Sequence, residues 1–246
     1  MMRAHWRGFF LMGLAMTALL SAAGAVPAMA ASPDFAALIA ASDRSEADRK
    51  TDERRNPVQL LAFTAVETGM TVLDVGAGGG YSTELMARSV GPTGKVFGQN
   101  AQERERFVER LKTPAMKNVV PLVQPFDDPV PADTQVDLIT FFFVYHDVTF
   151  MPVDRAAMNR KLFQALKPGG HLIIADHSAK AGDGTSVGKS LHRIEEAALR
   201  KEVEAAGFKL VGSGDFLRNP EDKRDVTVSK SPVRVDEFVL KFQKPR

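Results

Sequence analysis

TVLDVGAGGGY, Thr71 to Tyr81, is the stretch that decides the fold. A short apolar run (Val72, Leu73 and Val75) meets four glycines within five residues: Gly76, Gly78, Gly79 and Gly80. A helix-forming segment, Ser82 to Val90, follows at once. This order predicts a buried parallel strand running into a tight loop that opens a helix. Glycines let such a loop take positive φ and bring its backbone close to a ligand. Free N–H groups at the helix start then face whatever polar group occupies the crevice.

The spacing separates cofactors. A dinucleotide loop, Gly-x-Gly-x-x-Gly, needs its third glycine at position 81, which is Tyr81. Here Gly76, Gly78 and Gly80 alternate behind Asp74. This Asp-x-Gly-x-Gly-x-Gly stretch resembles the first motif of the class I S-adenosylmethionine-dependent methyltransferases. The resemblance implies S-adenosylmethionine as cofactor, with Asp74, Gly76, Gly78 and Gly80 around its amino-acid end. An acid beside the loop suits the methionine ammonium group and suits a pyrophosphate poorly. A glycine-rich turn in some other α/β protein is the plainer reading of the loop alone.

Working outward, strand-like segments alternate with helical ones. Lys95–Gly98, Asn118–Val123, Val136–Val144 and His171–Asp176 read as strands, and Ala101–Lys112, Arg155–Leu166 and Ser190–Ala206 read as helices. Val136–Val144 is rich in Phe and β-branched residues, as a central strand buried on both faces would be. Lys167-Pro168-Gly169-Gly170 reads as a helix stop and tight turn. Phe208–Val211 and Phe238–Phe242 end the chain as two strands, the last alternating like an edge strand. The expected fold is α/β: a doubly wound, Rossmann-like, mostly parallel seven-stranded sheet with an antiparallel C-terminal edge strand. Ligands of such sheets sit at the carboxyl ends of the strands.

Residues 31–70 read as a helical cap preceding the main domain, residues 71–246. Asp43–Arg55 is crowded with both signs of charge, which reads chiefly as a solvated helix face with i, i+4 pairs. The lesser reading makes it a lid, with Arg54 or Arg55 reaching a substrate anion. Ahead of it, Arg3 and Arg7 precede an uncharged run, Gly8–Val26, that closes on Ala28-Met29-Ala30. This is the pattern of a secretory signal peptide cut after Ala30, and it implies a periplasmic or secreted protein. An uncleaved anchor is the alternative. The chain has no Cys, so neither a disulfide nor a lipid-modified cysteine is available. Lys+Arg number 32 and Asp+Glu 30, so nothing points to nucleic acid or another polyanion. The expected partner is a small molecule, with no stable membrane association once the leader is gone.

The class I resemblance extends over most of Thr71 to Pro245 and implies further site residues. At the end of the second strand the family places an acid on the ribose hydroxyls; Asn100, in VFGQN, matches that position. Asn100 with Glu103 also fits an N-cap and capping box for the Ala101 helix. Phe126 and Asp127 match the adenine position, and they also read as a surface turn before Pro129. Tyr145-His146-Asp147 leaves the fourth strand at the ligand edge. There His146 would act as general base and Asp147 would orient a ring or bind a substrate cation, although a lone histidine is more often structural. LKPGGHLIIADH, Leu166 to His177, resembles the family's late helix–turn–strand segment and leaves Asp176 and His177 at the same edge, with His192 opening the next helix. Metal-dependent catechol-type members carry an acid inside the fourth strand, near Phe142 here, and Phe offers Mg²⁺ no oxygen ligand. His146, His177 and His192 show no ligand spacing, so no metal is expected. The implied reaction is in-line displacement at a sulfonium methyl group, for which the protein mainly aligns reactants and excludes water. Because that cofactor is made in the cytosol while the leader points outward, a non-catalytic periplasmic binding module on the same fold is the alternative.

Overall fold

The computed structural model describes residues 1–2, 4–5 and 32–246. The expected leader, apart from those first positions, lies outside the described residues. Seven strands form one sheet: β1 Thr71–Val75, β2 Lys95–Asn100, β3 Val119–Val123, β4 Val136–Phe142, β5 Leu166–His177, β6 Lys209–Gly214 and β7 Glu237–Gln243. Their order is β3-β2-β1-β4-β5-β7-β6. β1 to β5 run parallel, and β7 pairs antiparallel with both β5 and β6. The strand order reverses between β1 and β4, which places the switch point, and the crevice, beside the glycine loop.

Helices cover both faces. α1 (Phe35–Ala40), α2 (Glu46–Arg55), α3 (Pro57–Thr64), α4 (Tyr81–Val90) and α5 (Glu105–Leu111) precede β3. α6 (Tyr145–Val148), α7 (Arg155–Ala165), α8 (Gly188–Leu191) and α9 (Glu196–Ala205) follow β4. Successive strand residues point to opposite faces, which splits the core in two. Leu73, Ile139, Phe141, Leu172 and Leu240 pack with Met158, Leu162, Leu199 and Val203 of α7 and α9. Val72, Leu138, Ile173 and Val239 pack with Leu60, Leu61, Leu85 and Met86 of α3 and α4.

Several boundaries differ from the sequence reading. β7 lies inside the sheet and β6 takes the rim, so Phe238–Phe242 is covered on both faces and fully buried at Phe238, Leu240 and Phe242. The β4 run ends at Phe142 because Phe143 adopts φ 60° and turns the chain into α6. Lys167–Gly170 form the start of β5 rather than a separate turn, with Gly169 N–H and Gly170 C=O paired to Lys244. The Ser190–Ala206 helix is two helices: His192 stops α8 at φ 54°, and Ile194 bridges to Ser178 before α9 begins. α5 begins at Glu105 rather than Ala101, with Arg104 at its N-cap and no side-chain cap, while Asn100 ends β2 and bonds Gly78 instead.

Candidate functional site

Gly76, Gly78 and Gly80 all take positive φ (68°, 58° and 87°), the left-handed region open to glycine at little cost. The loop is held from beneath by the end of β2. Gln99 Oε1 accepts from Gly76 N–H at 2.9 Å, and its Nε2 donates to Gln124 C=O at 2.6 Å. Asn100 Oδ1 accepts from Gly78 N–H at 2.8 Å, while its Nδ2 donates to Gly78 C=O at 3.3 Å. Asn100 is therefore a buried clamp on the loop, and the capping-box reading gives way. Asp74 is fully buried, and its oxygens accept from the hydroxyls of Thr140 (2.7 Å), Ser82 (2.8 Å) and Thr83 (2.6 Å). It ties β1 to β4 and α4. Burial raises its carboxyl above the usual range against the pull of those hydroxyls.

A cleft of about 1030 Å³ opens above the loop, lined by Gly76–Gly79, Phe142–Val144, Arg55 and Arg110 among others. Phe126 and Asp127 lie apart from this cleft. Phe126 is buried in parallel stacking on Phe141, with centroids 6.2 Å apart. Asp127 accepts from Asp154 N–H at 2.7 Å and so fixes the start of α7.

α2 roofs the cleft. Glu46, Arg49, Lys50, Glu53 and Arg54 form an exposed face, as expected, but the ion pairs of Asp48 and Asp52 run to residues outside the helix rather than to i, i+4 positions. Arg110 donates to both oxygens of Asp48 (2.7 and 2.8 Å), to Glu84 (2.5 Å) and to Gly79 C=O (2.9 Å). Asp52 accepts from Tyr81 Oη at 2.6 Å and pairs with Arg44. Arg55, at the end of α2, sets its guanidinium 3.7 Å from the Phe143 ring centroid, and its buried Nε has no hydrogen-bond partner. Burial lowers its pKa to about 10, against the opposing charge of Glu237.

The exits of β4 and β5 carry a second cluster. His146 Nδ1 lies 2.6 Å from Asp176 Oδ1, and His146 N–H donates to Asp176 Oδ2 at 2.8 Å. On its other side, His146 Nε2 stands 3.2 Å from Asp147 Oδ1, which is 2.9 Å from His192 Nδ1. The His177 ring sits 5.2 Å from those of both His146 and Phe143, with its Nδ1 3.0 Å from Glu237 Oε1. Burial disfavours a charged His146, but Asp176 and Asp147 together outweigh it and push the pKa up to about 9. These two carboxylates thus favour the protonated ring, which opposes a general-base role, and a cation bound at Nε2 would take that proton's place. Among the described residues, His146 belongs to two groups that could hold a metal ion, with Asp147 and His192 or with Asp176 and His177.

The sequence reading missed four parts of the site. Gln99, Arg110 and the Asp176–His146 pair act through contacts between distant segments, and only the placement of Asp176 at the strand exit hinted at its part. Arg193 was missed as well. It is fully buried, donates to Ser178 C=O (3.0 Å), Val226 C=O (3.1 Å) and Asp222 (2.8 Å), and thereby fixes the loop that carries His192.

A family profile described as "Methyltransferase domain" matches residues 47–213. The ubiquinone/menaquinone biosynthesis C-methyltransferase of Klebsiella pneumoniae is 32% identical over 118 residues, 47% of this chain and 45% of that protein. The Escherichia coli protein of the same name is 33% identical over the same shares. The chain thus spans about half the length of the curated relatives it matches. Among solved structures, a SAM-dependent methyltransferase from Aquifex aeolicus superposes with TM-score 0.59 at 24% identity, covering 80% of this chain and 96% of that one. An arsenic(III) S-adenosylmethionine methyltransferase from Chlamydomonas reinhardtii gives TM-score 0.57 at 16% identity, covering 88% and 75%. At these identities the likeness shows the fold.

Proposed function

The chain belongs to the methyltransferase-domain family, the S-adenosylmethionine-dependent class of this fold, and we propose that it methylates a small-molecule acceptor seated at the exits of β4 and β5. One observation carries this reading. A Cβ at Gly78 would meet only Gly76 C=O, 3.9 Å away, so the space beside the clamped loop is left open for a ligand. When bound there, the cofactor supplies an activated sulfonium methyl group.

The chain's own residues then bind, orient and exclude water. The Gly76–Gly80 backbone lets the cofactor approach closely, and Gln99 and Asn100 hold that backbone in place. Arg55, which lines the cleft, offers its guanidinium charge to a carboxylate there. α2, latched by Arg110 and Tyr81, keeps water from the reacting centre. On the acceptor side, the Phe143 ring, which lines the cleft, favours a flat aromatic molecule. The name of the Klebsiella relative, which pairs quinone biosynthesis with C-methylation, supports that class. Residues 31–70 act as a cap on the 71–246 domain, and the N-terminal pattern of charge, apolar run and small residues supports a periplasmic or secreted location.

The test is methyl transfer by the purified full chain from methyl-labelled cofactor to a panel of hydroxylated aromatic molecules. Label in an acceptor, with equal formation of S-adenosylhomocysteine, is expected. Cofactor binding without transfer to any acceptor would leave only a binding module.

A further inference from the structure

We propose that His146, Asp147 and His192 form a binding site for one divalent first-row transition-metal ion of the Zn²⁺ class. The site stands on its own geometry, whether or not the adjoining cleft takes the methyl donor.

The atoms that face one another are His146 Nε2, Asp147 Oδ1 and His192 Nδ1, separated by 3.2 Å and 2.9 Å along that chain. Tetrahedral ligands about 2.0–2.2 Å from a Zn²⁺ ion stand about 3.3–3.6 Å apart, so Asp147 Oδ1 opens slightly from both rings to share an ion, and all three atoms already lie within 4.8 Å of one another. Two imidazoles with one carboxylate suit Zn²⁺ and its neighbours, whereas Mg²⁺ and Ca²⁺ favour oxygen donors alone.

The ring that matters most is already oriented from behind. His146 Nδ1 faces the fully buried Asp176, and Asp176 is itself held by the N–H groups of His146 and His177 at 2.8 Å each. A carboxylate behind one imidazole nitrogen aims the other nitrogen at a metal and raises its basicity. Asp147 and His192 keep 29% and 47% of their side chains exposed, so an ion has an entry path. Three protein ligands leave a coordination position for an oxygen donor, water or a hydroxyl of a bound molecule.

The inner group, His146 with Asp176 and His177, is a poorer site. All three are buried, and Asp176 is spent on the two backbone N–H groups. Nothing there is left open for a fourth ligand. The sequence carried no spacing signal because His192 comes from a segment 45 residues beyond Asp147. The buried Arg193 brings it back to the edge of β5.

The experiment is titration of the full chain, stripped with chelator, with Zn²⁺ followed by calorimetry and with Co²⁺ followed by visible absorption. One ion per chain is expected, with the d–d bands of a mixed nitrogen and oxygen site. Asp147→Asn and His192→Ala each should abolish stoichiometric uptake. Both positions are partly exposed, so an unchanged metal-free melting midpoint verifies that the fold is kept. Asp176→Asn should weaken binding by about 10- to 100-fold, and His177→Asn should leave it intact. The assignment is overturned if the wild-type chain takes up neither ion stoichiometrically. It is equally overturned if uptake survives His192→Ala and is lost in His177→Asn.

Discussion

Asn100 grips Gly78 from both sides, accepting its N–H at 2.8 Å and donating to its carbonyl at 3.3 Å. The last residue of β2 thus sets the shape of the loop between β1 and α4. Asn100→Ala removes both bonds and leaves the Gly78 amide free to move. The expected result is an S-adenosylhomocysteine dissociation constant raised by about tenfold, or 1.4 kcal/mol, with a stability cost of about 1–2 kcal/mol. Isothermal calorimetry and urea unfolding measure the two. An unchanged dissociation constant would remove Asn100 from the binding machinery.

Gly78 and Gly98 should differ in whether an added methyl group harms cofactor binding or stability more. A Cβ at Gly98 would stand 2.4 Å from Phe107 Cζ, so Gly98→Ala should lower stability by about 1–3 kcal/mol. Gly78→Ala meets open space at φ 58°, so it should cost only about 1–2 kcal/mol of backbone strain. It should nonetheless weaken the cofactor more than Gly98→Ala does, because the added methyl group occupies the ligand's space. Paired melting and binding curves check the ordering.

Arg55 is the buried cation of the cleft whose Nε lacks a partner. Arg55→Met keeps the stacking on Phe143 and removes the charge. Initial-rate kinetics should show KM for S-adenosylmethionine raised about tenfold, with kcat changed much less and the melting midpoint held or raised. An unchanged KM would show that no carboxylate reaches this guanidinium.

Asp222 is the counter-charge of Arg193. Asp222→Ala leaves a buried guanidinium unpaired, and the expected cost is about 3–5 kcal/mol. The pH dependence follows from the same contacts. Burial by itself would raise the Asp222 carboxyl, but the N–H groups of Asp236 and Arg224, with Arg193, outweigh it and hold it below the ordinary range. The unfolded chain then binds the proton more tightly. The stabilisation is complete above the unfolded value of about 3.9 and is lost as pH falls through the folded value. Asp48, depressed by Arg110 against its burial, acts in the same direction. Urea unfolding across acidic pH should show a shallower decline for Asp222→Asn than for wild type.

What was legible in the sequence was local. The glycine spacing, the apolar β4 run and the alternation of strands and helices predict the sheet, because each depends on neighbouring residues. The site was less legible because its bonds join distant segments: Arg110 meets Asp48 across 62 positions, and His146 meets Asp176 across 30. Periodicity over Ser190–Ala206 also hid the break at His192, since the Ser178–Ile194 bridge that pulls the chain out of helix is a tertiary contact. Asn100 carried a helix-cap signature that the loop clamp overrode.

That the glycine loop cradles S-adenosylmethionine is tested most directly by calorimetric titration of S-adenosylhomocysteine into the purified full chain. A saturable one-to-one complex in the micromolar range, weakened in Asn100→Ala, is predicted. Absence of binding at millimolar ligand, in a preparation that melts cooperatively, would contradict it.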